Sequence, residues 1–495
     1  MSIELIAAAD SGGEISREIK HDYSSSHSGI VPLNVRRGTW SHHVPLWITL
    51  YAGFSYMTLG SELYSFGYTL HQMLTIVFWS SICYLLYAIP AAYLGAVRGQ
   101  THALMGRSVF GVSGSMIVSV FVLVAPVGWV GYQANTLAAI WNALYGWGPV
   151  LWIGVAIAVV GITNNVLGFT GITAFARYVA GPVTVIWVAY MVIKAFTNTS
   201  SAVLQSTAPN TTAAPMAFGI IAALGFATYG NEPDLFRYSK PHVKDVVPPL
   251  VTGLFIGQIL FPLAGWVIAA RIKSGDFGAG FTEAVSFSLF GLSLLAFLLA
   301  SATQIAVNDA NYYESLNAGQ NLFGGWSKWK RIYTCAFITV IGAFMAWWVP
   351  QNTTNFFRVT TWLAVTVPTA TIVMYVDQLL LPRLLKGYRR NIEVVPSWEQ
   401  TAKGNWPGIF SLLVGVVFGA YGSGVFPGQD GSPLAGWGVV PVEAWLLTAV
   451  LYTLLVAIIW KRPNGKAILG FPATALAQPV APEPGPEPAA GVGTR

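Results

Sequence analysis

Apolar residues gather into twelve runs, near 44–68, 71–95, 116–143, 149–169, 175–197, 216–233, 248–270, 284–311, 331–349, 355–380, 407–425 and 440–460. A run of about twenty residues, rising ~1.5 Å per residue as a helix, crosses the ~30 Å hydrocarbon core of a bilayer. The pattern predicts an all-α polytopic membrane protein with twelve transmembrane helices. Around the runs it sets a polar, cytoplasmic N-terminal tail over 1–40, a first five-helix set over 41–197 and an external loop over 198–215. A second five-helix set over 216–382, a cytoplasmic loop over 383–406, two further helices over 407–461 and a Pro/Ala-rich, disordered tail over 462–495 complete the chain.

Two runs carry the same interruption. Gly53-Phe54-Ser55 and Gly225-Phe226-Ala227 each place a glycine and an aromatic inside an apolar stretch, and an acid, Glu62 or Asp234, follows nine residues after the glycine. In lipid, backbone that loses its helical hydrogen bonds is tolerated only where protein or a water-filled cavity receives the freed groups. Paired interruptions in corresponding halves therefore predict discontinuous helices 1 and 6 and a transported ligand between them. In the first run Pro45 is expected to open the helix, with Gly53, Gly60 and Gly67 weakening it at mid-bilayer depth. Freed carbonyls there would offer hard oxygen ligands to a cation; the competing reading is that these glycines are close helix contacts.

Several polar groups fall within the apolar runs. Glu62 is a candidate ion or proton carrier if it lies inside the first span, and an ordinary surface acid if that span ends earlier. Asp234 precedes Arg237 and reads more simply as half of a cytoplasmic helix-end ion pair. Trp129 and Gln133 are four residues apart and share a helix face; an indole beside a carboxamide suits a flat heterocycle, stacked on one and read at its edge by the other. Asn308, Asp309 and Asn311 lie either deep in the eighth span or at the inner surface just beyond it.

Composition narrows the class. Hydrophobic residues are 54% and charged residues 9% of 495, with 19 tryptophans, which excludes an ordinary soluble enzyme. The formal charge of +6 reflects topology and not nucleic acid. Only Lys194, Arg271, Lys273 and Arg358 of the 26 basic residues fall outside, so both termini are expected in the cytoplasm of a cell that carries this protein in its plasma or inner membrane. Cys83 and Cys335 are isolated thiols within apolar runs and are assigned to packing. A membrane-embedded enzyme using His42 and His43 is the alternative from another class, but no further ligands or nucleophile accompany the pair, and adjacent residues point in different directions on a helix.

Together these residues resemble the nucleobase-cation symporter family, in its cytosine and purine permease branch. The stretch QTHALMGRSVFGVSGS over 100–115 resembles the family's loop between helices 2 and 3, Gly128-Trp129 its Gly-Trp of helix 3, and Asn308-Asp309 its pair in helix 8. The resemblance implies a LeuT-type 5+5 inverted repeat followed by two further helices, with substrate between helices 1, 3, 6 and 8. It implies Trp129 and Phe226 as aromatic walls, with Phe54 and Gly225 beside them, and Gln133 and Asn308 as edge readers. Carbonyls near Ala52, Gly53 and Tyr56 would contribute to a cation site, with Thr303 nearby. Where sodium-coupled members carry helix 8 hydroxyls, Ala306 and Val307 stand here, so the sodium site looks incomplete. The coupling cation is H+ or Na+, the departure favours H+, and Glu62 and Asp309 are the candidate carriers. The expected activity is import of a nucleobase, with allantoin, a hydantoin, thiamine or an amino acid as alternative cargo; no other cofactor and no nucleic-acid partner is expected.

Overall fold

Two helices stand where the first apolar run predicts one: α1, Trp40–Tyr51, ends and α2, Phe54–Ser65, begins across an extended Gly53 with φ −140 and ψ 163. The computed structural model describes residues 30–31, 38–51, 53–166, 168–208, 231–324, 330–390, 401–424 and 438–471, with positions 398, 426, 429, 433 and 434. Ala52, Gly225 and Phe226 lie outside the described residues, and with the last two lies the expected break in the sixth span. Pro45 does not open the first helix, which starts at Trp40 and carries the proline inside. The three glycines of the run have three different roles. Gly53 sits in the break, Gly60 lies against α8, Val243–Ile272, where an added Cβ would strike the Pro262 carbonyl, and Gly67 turns the chain at φ 86.

Among the described residues, eight helices are long and apolar enough to cross a membrane, with Val150–Asn165 and Trp406–Gly422 as shorter apolar ones. α3, Leu70–Arg98, opens on a Thr69–Gln72 capping box and closes on Gly99 at φ 65, where a left-handed residue ends a helix without the Cβ penalty. α4, His102–Tyr145, starts only three residues later, capped by Thr101. Residues 102–110 are therefore helical, and the expected loop between helices 2 and 3 reduces to 99–101.

α4 bends at Gly111, whose φ 72 and ψ −169 suit glycine almost alone. The bend releases the amides of Val112 and Ser113, which donate to the carbonyls of Ala402 and Lys403 at 2.9 and 3.0 Å, while Asn405 N donates to Phe110 O at 2.9 Å. The loop before Trp406 is thus stitched to the middle of the fold by main-chain bonds.

The rest of the first half is α5, Val150–Gly161, and α6, Gly171–Thr197, joined by short helical pieces. α7, Asn231–Phe236, is a single stretch of helix packed on α3, where Gly95 lets the Pro233 backbone approach. α8 follows, then α9, Phe277–Ser288, and α10, Ser293–Leu322. The single eighth run at 284–311 was an incorrect reading: Phe290 and Gly291, at φ 56 and 70, turn the chain between two helices, and both residues are themselves apolar or small. α11, Arg331–Trp348, α12, Thr353–Tyr375, α13, Trp406–Gly422, and α14, Val440–Trp460, lie close to the expected spans.

Long-range packing centres on α10 against α4 and on α8 against α1 and α2. Basic residues expected in loops are partly internal: Arg107 donates to Asn321 Oδ1 at 2.7 Å and Arg331 to Gln320 Oε1 at 3.1 Å, each buried at the end of α10. Asp377, just past α12, accepts from Arg390 Nε at 2.7 Å, Tyr388 OH at 2.6 Å and Tyr452 OH at 2.5 Å, tying α12 to α14. Burial pushes the Tyr388 phenol up, which keeps it a donor in this network.

Candidate functional site

The break in the first helix faces α10. A Cβ built on Gly53 would collide with Gln304 Oε1 and would touch Val307 Cγ2 at 3.4 Å, so only a residue without a side chain admits this approach. Gln304 is 1% exposed and, among the described residues, neither end of its carboxamide has a hydrogen-bond partner. The buried Ser55 hydroxyl, at the start of α2, is likewise without one. Leaving such groups unpaired costs roughly 1–3 kcal/mol each, and buried polar atoms in native proteins are nearly always satisfied. Unmet donors and acceptors beside a helix break are what a polar ligand would satisfy.

Gln304, Asn308, Asn311 and Ser315 recur at intervals of four, three and four, which puts one polar stripe along α10. Asn308 Nδ2 donates to Val130 O of α4 at 3.4 Å, and Asn308 Oδ1 accepts from Asn311 Nδ2 at 3.3 Å. Both are buried near the midpoint of α10, which does not end at Val307 but runs on to Leu322. Sequence reasoning missed Gln304; its spacing to Asn308 was the available signal.

Trp129 and Gln133 sit on α4 beside the Val130 carbonyl that Asn308 reaches. Trp129 is 8% exposed, set edge-on to Tyr132 with ring centroids 5.5 Å apart, and forms a small apolar patch with Val349, Met345 and Trp348, separate from the main core. Gln133 is buried with its Oε1 unpartnered. Asn308 thus reaches the α4 main chain at Val130, next in sequence to Trp129, with Gln304 one turn along the stripe.

Other expected site residues are placed differently. Phe54 packs its ring against Trp187 and Phe281 at 4.8 and 5.1 Å and is 1% exposed; its place is in the core, because α2 turns it toward α6 and α9. Tyr56 is buried, and its amide occupies the Gly53 carbonyl at 2.9 Å. The Thr303 hydroxyl donates within its own helix, to Leu299 O and Ala300 O. Glu62 lies within α2, partly exposed, with its charge in reach of Tyr132. Asp309 is buried and held by Asn164 Nδ2 at 3.0 Å, with Asn165 Nδ2 on its carbonyl at 3.0 Å, on the side of α10 turned to the end of α5. Asp234 is also buried, and its carboxylate accepts from His102 N at 2.7 Å and Asn317 Nδ2 at 2.8 Å, so it is no surface helix-end acid.

A helical bundle with a broken first helix beside unsatisfied carboxamides is the frame of a membrane carrier. The family of permeases for cytosine/purines, uracil, thiamine and allantoin matches residues 30–455, and the chain belongs to it. The cytosine permease of Escherichia coli (strain K12) is 26% identical over 409 residues, covering 81% of this chain and 90% of that protein. Among solved structures, Mhp1, a nucleobase-cation-symport-1 family transporter in a closed conformation with bromovinylhydantoin bound, superposes with a TM-score of 0.65 at 15% identity, over 89% of this chain and 95% of its own. A Na+-coupled sialic acid symporter in a substrate-bound outward-open state gives 0.61 at 11% identity, over 90% and 96%. The chain is a multi-pass membrane transporter and not an enzyme; at these identities the two structural likenesses speak for the fold alone.

Proposed function

We propose that this transporter imports a nucleobase, cytosine or a purine, together with a cation by alternating access, as one bundle of helices rocks against the other. The observation that carries the reading is the Gln304 carboxamide, buried and, among the described residues, unpaired against the break at Gly53, one turn from Asn308, which reaches α4 at the Val130 carbonyl. A flat amide-bearing ring would stack on the Trp129 indole while Gln133, Asn308 and Gln304 meet its donors and acceptors. Its relatives include a cytosine permease, which supports this cargo class over the amino-acid alternative. Phe226 is the proposed second wall. Allantoin, a hydantoin and thiamine are the competing cargoes.

For the cation, Val307 presents a methyl group to Gly53 where hydroxyl oxygens would serve sodium, and Thr303 directs its hydroxyl into its own helix. This supports proton coupling, with Glu62 and Asp309 as carriers in the outer and middle parts of the bundle. Purified protein in liposomes, tested for labelled cytosine uptake under separate sodium and proton gradients with unlabelled competitors, checks cargo and coupling together. Uptake driven by sodium at constant pH and indifferent to a proton gradient would end the proton reading; failure of cytosine and purines to compete would end the cargo assignment.

A further inference from the structure

A second group of acids lies beyond the Gln304 site, toward the end of the bundle where Arg237, Lys240 and Lys244 follow α7. Glu232 and Asp234 on α7 and Glu314 on α10 are 0, 1 and 0% exposed. Glu314 lies within electrostatic reach of both others. Asp234 is fully engaged by His102 N and Asn317 Nδ2, and Glu232 accepts from Tyr84 OH at 2.7 Å. Glu314 is different: among the described residues neither of its carboxyl oxygens has a hydrogen-bond partner.

An ionised carboxylate is an acceptor only, so a buried one without a donor, facing two further carboxyls, is the costly state of this cluster. Binding one proton cancels the charge and turns an oxygen into a donor. The remaining neighbours are consistent with that. Arg237, whose charge reaches Asp234, turns its guanidinium to Tyr313 OH at 2.7 Å. On the α3 and α12 side stand Tyr87 and Tyr375, and His102 Nε2 is hydrogen-bonded with Thr371 Oγ1 at 2.7 Å.

The cluster is also wired to the helix break. Tyr51, the last residue of α1, donates to Tyr84 OH, and Tyr84 donates to Glu232. We propose that Glu314, with Glu232 and Asp234, is a buried proton-binding site of the transport cycle, linked through Tyr84 and Tyr51 to the break in the first helix. One proton enters with each substrate, rests as an O–H on this carboxyl cluster, and leaves to water at the basic end after the bundle opens there, returning the cluster to its charged form. The proposal rests on the proton-coupled reading above and places the releasing group at Glu314.

The test separates the two. In proteoliposomes, Glu314→Gln should retain counterflow, the exchange of external labelled cytosine for internal unlabelled cytosine, because exchange requires no proton release. Accumulation driven by a gradient of one pH unit, about tenfold for one coupled proton, should fall to about onefold. Wild-type accumulation in Glu314→Gln would overturn the proposal. Absence of cytosine counterflow in the wild type would refute the cargo reading instead, and a substrate-free measurement then decides the site: infrared spectra of the purified protein should show a carboxylic C=O band that titrates with pH and is missing in Glu314→Gln. An unchanged band in the variant overturns the proposal. Should Glu314→Gln fail to fold, Glu232→Gln is read by accumulation and counterflow with the same outcomes.

Discussion

Gly53 and Gln304 meet across the break in the first helix, where the missing Cβ of one is what admits the carboxamide of the other. Gly53→Val should therefore abolish uptake. The extended backbone at φ −140 tolerates any residue, so the damage is steric and not conformational. Overpacking of this kind costs about 1–3 kcal/mol, and a thermal melt of the detergent-solubilised variant should show that loss alongside the transport defect.

Gln304→Leu separates stability from function. Replacing an unpaired buried amide by an apolar group of similar size removes a desolvation penalty of about 1–3 kcal/mol, so the melting temperature should stay level or rise. Uptake should nevertheless fall, because the amide is kept for a ligand. A variant both less stable and fully active would contradict this.

Trp129→Ala should weaken substrate binding by about 0.5–1.5 kcal/mol for lost stacking, beyond the area no longer buried. Equilibrium binding of labelled cytosine to the purified variant reads the effect directly. Trp129 belongs to a small patch apart from the main core, so fold stability should suffer less than for a central tryptophan such as Trp47.

Asp377→Ala tests the tie between α12 and α14. Arg390 and Asp377 are 4 and 0% exposed, and removing one partner leaves a buried guanidinium uncompensated, a loss of about 3–5 kcal/mol. Denaturant unfolding should show it, whereas Asp377→Asn, which still accepts from Tyr388 and Tyr452, should lose less.

Gly111→Ala should cost about 1–3 kcal/mol from backbone strain at φ 72 and ψ −169, with a further clash against the Ala402 carbonyl. The loop at 401–405 should then become accessible to protease in the intact protein.

Much of this architecture could be read from residue pattern, and the reasons for success and failure are physical. Long apolar runs bounded by polar residues, such as Val440–Trp460, announce themselves by length. The break at Gly53 was legible because few other reasons place Gly-Phe-Ser in the middle of a span. The turn at Leu289–Leu292 was not, since its left-handed residues carry no polar punctuation and the run reads on through it. The helix over 102–110 was hidden for the opposite reason: its His102, Arg107 and Ser108 look like loop, yet inside the fold Thr371 meets His102 Nε2 and Asn321 meets Arg107. Asp234 read as a helix-end acid because Arg237 follows it, and Asp309 was open between two depths; which neighbour holds each depends on tertiary contacts with Asn317 and Asn164 that no local spacing encodes. Gln304 carries no local signal beyond its place one turn before Asn308, since a single amide in an apolar helix reads equally as packing.

The central claim is that the Gly53–Gln304 junction borders a water-accessible ligand site midway through the bundle. A single cysteine at Gln304, in a background lacking Cys83 and Cys335, tests it by reaction with a membrane-impermeant maleimide in reconstituted protein. Labelling is expected, slowed by saturating cytosine. A thiol there that stays inert with and without cytosine, while a surface cysteine in the same background reacts, would contradict it.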